Sequence, residues 1–196
     1  MRASAGVVLM TAAIVAGPVL AGCDSSSNGG DKPAASTTGA SGAPTTNASG
    51  SGLAKDVPTG FDPCTDIPAD VLASEKLKAS GRKDLDAPGG VKWRGCGWVR
   101  PNGYAVAIKT TNLTVQAVRD RNFAGAEQFT IAGRPAIAAH QLDDKAACIV
   151  NVEMKGGSLE FNLDNPPSRS ETGKVESCQL ARTLAEKVVP SVPASA

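Results

Sequence analysis

The sequence predicts an α+β domain in which an antiparallel sheet packs against helices and two disulfides staple the fold. Three observations carry this. Short apolar segments between residues 93 and 163 alternate as half-buried strands do, with turn residues between them. Helical spacing flanks that block at both ends. Cys64, Cys96, Cys148 and Cys178 lie in or beside these elements, and an even set of cysteines in a chain with an export signal reads as disulfides. Four cysteines allow three connectivities. The sequence-order pairs Cys64–Cys96 and Cys148–Cys178 are favoured, because each joins a helix to a strand nearby in the chain.

The elements follow in order. Phe61-Asp62-Pro63-Cys64 enters the domain, and Pro68 suits the first turn of a helix running to about Lys78, with Val71, Leu72 and Leu77 inward. Residues 80–90 read as loop, marked by Gly81 and Pro88-Gly89-Gly90. Strands at 93–100 and 104–109 flank Pro101-Asn102-Gly103, a hairpin signal. Asn112 is placed as the cap of a short helix through Arg121, with Val115 and Val118 inward. Residues 128–131 and 136–140 form a second strand pair around Gly133-Arg134-Pro135. Strands at 148–154 and 158–163 follow, joined at Gly156-Gly157 and ended by Asn165-Pro166-Pro167. The last helix is expected at 174–189, with Cys178, Ala181, Leu184, Ala185 and Val188 on one side. The expected order is α-β-β-α-β-β-β-β-α.

The N-terminus carries an address. Met1-Arg2 is followed by an uncharged apolar stretch, then Gly17-Pro18 and Leu20-Ala21-Gly22-Cys23. A short apolar run ending in small residues reads as a signal peptide over 1–22 rather than a spanning helix. Leu-Ala-Gly-Cys has the form of a lipobox, which makes Cys23 the expected lipidation site. Two or more acyl chains there form a stable anchor, at about 0.8 kcal/mol per buried methylene. The competing readings are an ordinary signal peptide and a buried hydrophobic helix with an incidental cysteine. Residues 23–60 are then a tether, almost all Ser, Thr, Gly, Ala, Asn and Pro, with little to bury. As a flexible coil it spans about 30–37 Å root-mean-square. The folded domain is expected over 61–190, with a tail at 191–196.

Charge and composition exclude some functions. The chain has 20 basic and 19 acidic residues, and Arg2 leaves with the signal. The balanced mature chain has no field to steer nucleic acid, and no basic-aromatic cluster argues for it. No metal site is expected, since there is no C-x-x-C pair and His140 is the one histidine. No cofactor is expected either, and redox function lacks a C-x-x-C pair.

Phe61-Asp62-Pro63-Cys64 before a helix, then Cys96-Gly97-Trp98 in a strand, resembles a family of actinobacterial lipoproteins known as a domain of unknown function. Its pattern is a lipobox, a Ser/Thr/Gly-rich tether, D-P-C, C-x-W, a Cys-bearing strand and a Cys-bearing C-terminal helix. This chain has each element from Cys23 to Cys178. Ile131-Ala132-Gly133-Arg134-Pro135-Ala136 is similar to the G-R-P-A turn of related envelope domains, which include the external sensor domains of some mycobacterial kinases and lipoproteins of the Mog1/PsbP-like fold. The resemblance implies an envelope location, two disulfides and an α+β domain. It carries over no catalytic residue.

Candidate chemistry is sparse. His140 is the one imidazole base, with Asp143 and Asp144 near it in sequence but no nucleophile at fixed spacing. Asp143-Asp144 with Glu171 is a candidate carboxylate pair for glycoside hydrolysis, against solvated loop charge as the plainer reading. Trp98 beside Cys96 is expected to pack on a disulfide. Trp93, between Lys92 and Arg94, is the better ligand-binding residue. Gly133-Arg134-Pro135 reads as a turn rather than an anion site. No catalytic residue is expected. The expected function is a non-catalytic, lipid-anchored domain on the extracytoplasmic face of the cell membrane, binding a small ligand or glycan. The alternatives are an envelope protein-docking or sensor-accessory subunit and, third, an envelope-polymer hydrolase.

Overall fold

The computed structural model describes residues 53–141 and 144–196. The signal peptide, Cys23, most of the tether and Asp143 lie outside the described residues. The elements are α1 (Ala69–Ser74), β1 (Lys78–Arg82), β2 (Leu85–Asp86), β3 (Lys92–Val99), β4 (Ala105–Thr111), α2 (Val115–Arg119), β5 (Glu127–Ile131), β6 (Arg134–Gln141), β7 (Asp144–Met154), β8 (Gly157–Asp164) and α3 (Ser177–Val188). The eight strands form one antiparallel sheet in the order β1-β3-β4-β8-β7-β6-β5, with β2 also paired to β3. The α+β class, the antiparallel sheet and the two disulfides match the sequence reading. The bridges are Cys64–Cys96 and Cys148–Cys178, with Cα–Cα distances of 5.2 and 5.1 Å.

Strict alternation divides the sheet into two faces. Val106 and Ile108, Leu159, Phe161 and Leu163, and Cys148, Val150 and Val152 are all buried on one of them. Helix α3 covers that face, sending in Ala181, Leu184, Ala185 and Val188. The other face carries a smaller apolar cluster, Leu113, Val115, Ala117, Val118 and Ile137, where α2 meets β6 and β7. That helix is five residues long. It covers only part of the second face, and a cleft lies over the rest.

Several expectations are corrected. Residues 80–90 are not a plain loop, because β1 and β2 pair with β3 there. Every residue of both strands is exposed, so no apolar alternation announces them. The first helix stops at Ser74, well short of Lys78. Lys76 takes φ 56°, and Leu77 N–H donates back to Leu72 O at 2.8 Å, a helix-ending turn made without glycine. The β5–β6 turn is Ala132-Gly133, both at positive φ, while Arg134 and Pro135 belong to β6. The last helix begins at Ser177 rather than 174, capped by the Glu176 carboxylate, which accepts from Cys178 and Gln179 N–H.

The cap of α2 is Thr114, whose Oγ1 accepts from Ala117 N–H at 3.1 Å. Asn112, expected in that role, is fully buried and ties three segments together. Its amide donates to Ala54 O and Gly90 O at 2.8 and 2.9 Å and accepts from Lys92 N–H at 2.8 Å. Residues 53–60 therefore belong to the fold, not to the tether. Leu53 bridges to Leu113, Pro58 is buried, and Lys92 pairs with Asp56. The expected tail at 191–196 is folded too. Val192 and Ala196 are buried in the main core, and the Arg134 guanidinium donates to Pro193 O and Ala196 O as well as Glu153 O.

Candidate functional site: a cleft on the second sheet face

The uncovered face is built from two adjacent cross-strand rows. In one, Gly95, Lys109, Glu160, Asn151 and Ile137 stand opposite one another from β3 to β6. In the next, Ala107, Asn162, Ile149 and Ala139 do so from β4 to β6. Gly95 has no substitute there: a Cβ would stand 2.2 Å from Ile108 O and 2.7 Å from Lys109 Cα.

A cleft of about 460 Å³ lies over these rows. That is within the range of small-molecule sites, roughly 300–1,000 Å³. Val118 of α2, Phe123 after it, Leu113 and Leu85 of β2 supply apolar walls, with Arg121 at the rim. Trp93, Lys109 and Glu160 make a polar floor. The Trp93 indole N–H donates to Glu160 Oε2 at 2.9 Å, passing over β4. Lys109 Nζ lies 2.9 Å from Glu160 Oε1 and 5.3 Å from the centre of the Trp93 ring. Lys109 and Glu160 are 8% and 5% exposed, so this ion pair is removed from water. Such a pair repays desolvation only with good geometry and further hydrogen bonds, and removing one partner is costly. Trp93, the ligand-binding residue expected from the sequence, thus lines the cleft. Trp98 lies in the main core at 7% exposure, and its indole N–H meets no acceptor among the described residues.

The other candidates fall elsewhere. His140 edges this cleft and a second one beside β5. Its Nε2 is 3.1 Å from Glu176 Oε1 and its Nδ1 3.3 Å from Ala147 O. Both ring nitrogens face acceptor oxygens of the protein. The nearby Ser177 hydroxyl donates to Lys145 O. His140, Glu176 and Cys178 bring three potential metal-ligand atoms within 4.8 Å of one another. The Cys178 sulfur is committed to Cys148, which takes the thiolate out of that group. Asp144 accepts from Ala146 N–H at the start of β7, whereas Glu171 is bound by Arg100 and Lys76. The two carboxylates have separate partners, and Asp143 lies outside the described residues. Glu171 joins a network around Glu75, which receives Lys187, the Tyr104 hydroxyl and Arg100. Burial works to raise the Glu75 carboxyl, but Lys187, Tyr104 and Arg100 together hold it below the usual glutamate range.

The sequence reading missed Lys109, Glu160 and Asn151 as site residues. Charged and amide side chains at inward strand positions are the signal that could have found them, because burial of such groups demands partners.

Fold and cleft define a disulfide-stapled α+β domain with a half-covered sheet. The chain belongs to a family described as protein of unknown function, DUF3558, whose model matches residues 18–191. No curated protein and no solved structure matches the chain significantly.

Proposed function

We propose that this is an exported lipoprotein, anchored through Cys23 on the extracytoplasmic face of the cell membrane, whose domain binds a small ligand in the cleft over Trp93. The cleft carries the binding reading. Apolar walls and a few converging polar groups are what a small-molecule site requires. Protein docking draws less support. The large exposed apolar side chains among the described residues are Leu85, Val99 and Val175, on separate segments, and Leu85 already borders the cleft. A hydrolase draws little, since His140, Asp144 and Glu171 each have their own partners.

The lipid anchor rests on Leu20-Ala21-Gly22-Cys23 and the low-complexity stretch after it. No helix among the described residues is long and apolar enough to cross a membrane. Replacing Cys23 with Ala and following size and detergent partitioning tests the anchor. The expected result is an unprocessed or released chain. A variant processed and membrane-bound like the wild type refutes it. Ligand titration observed through the Trp93 indole tests the cleft. A saturable change supports the reading, and silence across neutral and charged amphiphiles rejects it.

A further inference from the structure

The charges on the cleft floor cancel, and this bears on which ligand can enter. The inference rests on the cleft being a ligand site. Both Glu160 oxygens are occupied, one by Lys109 and one by the Trp93 indole. An ammonium has three N–H donors. Among the described residues Lys109 has one acceptor, Glu160, besides the face of the Trp93 ring. The group is nine-tenths buried and borders the cleft, so it has donor capacity left for an oxygen placed there. Asn151 and Asn162 border the same space, each with one amide atom bonded within the protein, to Ser158 and Gln141 respectively.

A carboxylate or phosphate at this point would be a second anion against a single ammonium, stripped of water with nothing to neutralise it. An amine would meet the ammonium as a like charge. A neutral carbonyl or hydroxyl oxygen accepts from Lys109 without unbalancing the floor. Arg121 does not change this choice, because it lies exposed at the rim where water screens it. The rest of the ligand must suit Val118, Phe123, Leu113 and Ile137, which asks for an apolar body. We propose that the cleft takes a neutral amphiphile of the single-chain ester class, a monoacylglycerol-like molecule, with an ester or hydroxyl oxygen on Lys109 and the chain along the apolar walls.

The test uses the whole mature chain, residues 23–196 with Cys23→Ser, oxidised and ¹⁵N-labelled. Monooctanoylglycerol, octanoate and octylamine are titrated below micellar concentration at pH 7. The readout is the Trp93 indole N–H resonance, assigned with Trp93→Phe. The neutral ester should shift it saturably, with octanoate and octylamine weaker by about tenfold or more. Glu160→Gln leaves Lys109 uncancelled and should reverse the order of ester and octanoate. The double variant Lys109→Met with Glu160→Gln buries no charge and guards against misfolding. It should lower ester affinity by about tenfold without any gain for octanoate. Octanoate or octylamine binding as tightly as the ester in the wild type, or an unchanged order in Glu160→Gln, overturns the neutral-ligand inference and leaves the cleft a ligand site. If none of the three probes moves the Trp93 resonance, the ligand-site reading fails and this inference with it.

Discussion

The Trp93 indole N–H reaches from β3 over β4 and donates to Glu160 Oε2 on β8 at 2.9 Å. This bond joins the N-terminal hairpin to the C-terminal strands on the sheet face that α3 does not cover. It also fixes the ring as part of the cleft floor, with the Lys109 ammonium 5.3 Å from the ring centre. The ring is therefore a structural tie, and in the proposed site it is also the surface that a ligand would meet.

Replacing Trp93 with Phe keeps an aromatic body and removes the donor. Glu160 then loses one of its two partners while still buried. The expected loss of stability is about 1–3 kcal/mol. Chemical denaturation of the oxidised protein measures it. Unchanged stability would mean that the indole bond does not hold in solution.

The disulfides close sequence separations of 32 and 30 residues. Substituting either pair with Ala should lower stability by about 2–5 kcal/mol. Non-reducing peptide mapping of the exported protein should yield Cys64–Cys96 and Cys148–Cys178 peptides. A Cys64–Cys148 or Cys64–Cys178 peptide, or free thiols in the native protein, contradicts the pairing.

Acid should act through Glu75. Its folded carboxyl lies below its unfolded value, because Lys187, Tyr104 and Arg100 outweigh burial. The stability it contributes is present above the ordinary glutamate value, roughly pH 4.3, and is lost as pH falls through the lower folded value. Glu75→Gln should be less stable than wild type at pH 7, with the difference shrinking in acid. Glu153 runs the other way. Burial raises its carboxyl despite the Val115 N–H and Arg119, so its ionised form costs stability at neutral pH. Glu153→Gln keeps an oxygen for Val115 and should gain stability as pH rises, with little difference in acid. Unfolding curves across pH test both signs.

Arg134 supplies a further structural test. Its guanidinium donates to Glu153 O, Pro193 O and Ala196 O, joining β6 and β7 to the residues after α3. Arg134→Ala should cost about 1.5–3 kcal/mol. It should also speed amide exchange at Val192 and Ala196, whose N–H groups bond Val189 O and Pro193 O. Loss of stability without that local effect would place the role of Arg134 elsewhere.

What was legible in the sequence follows burial. Cys148, Val150 and Val152 alternate because one side of β7 lies under α3, and period-two spacing reports that directly. β1 and β2 escaped because their side chains are exposed and only backbone pairing with β3 defines them. Asn112 reads locally as a helix cap, but its partners Ala54, Gly90 and Lys92 come from other segments. Trp93 was singled out because Lys92 and Arg94 flank it. In the fold those neighbours pair with Asp56 and Asp86, and the ring gains its role from Lys109 and Glu160 on strands distant in the chain. Sequence spacing could not bring those three residues together. The sheet register does.

Native mass spectrometry of the mature protein released from its host's envelope tests the central claim, that the cleft holds a small molecule, most directly. Wild type should carry an adduct of small-molecule mass. Ala139→Phe, which fills the cleft from β6 beside Ile149 and Asn162, should appear without it while keeping both disulfides and its fold. A bare wild-type mass, or an adduct that Ala139→Phe leaves in place, would contradict the account.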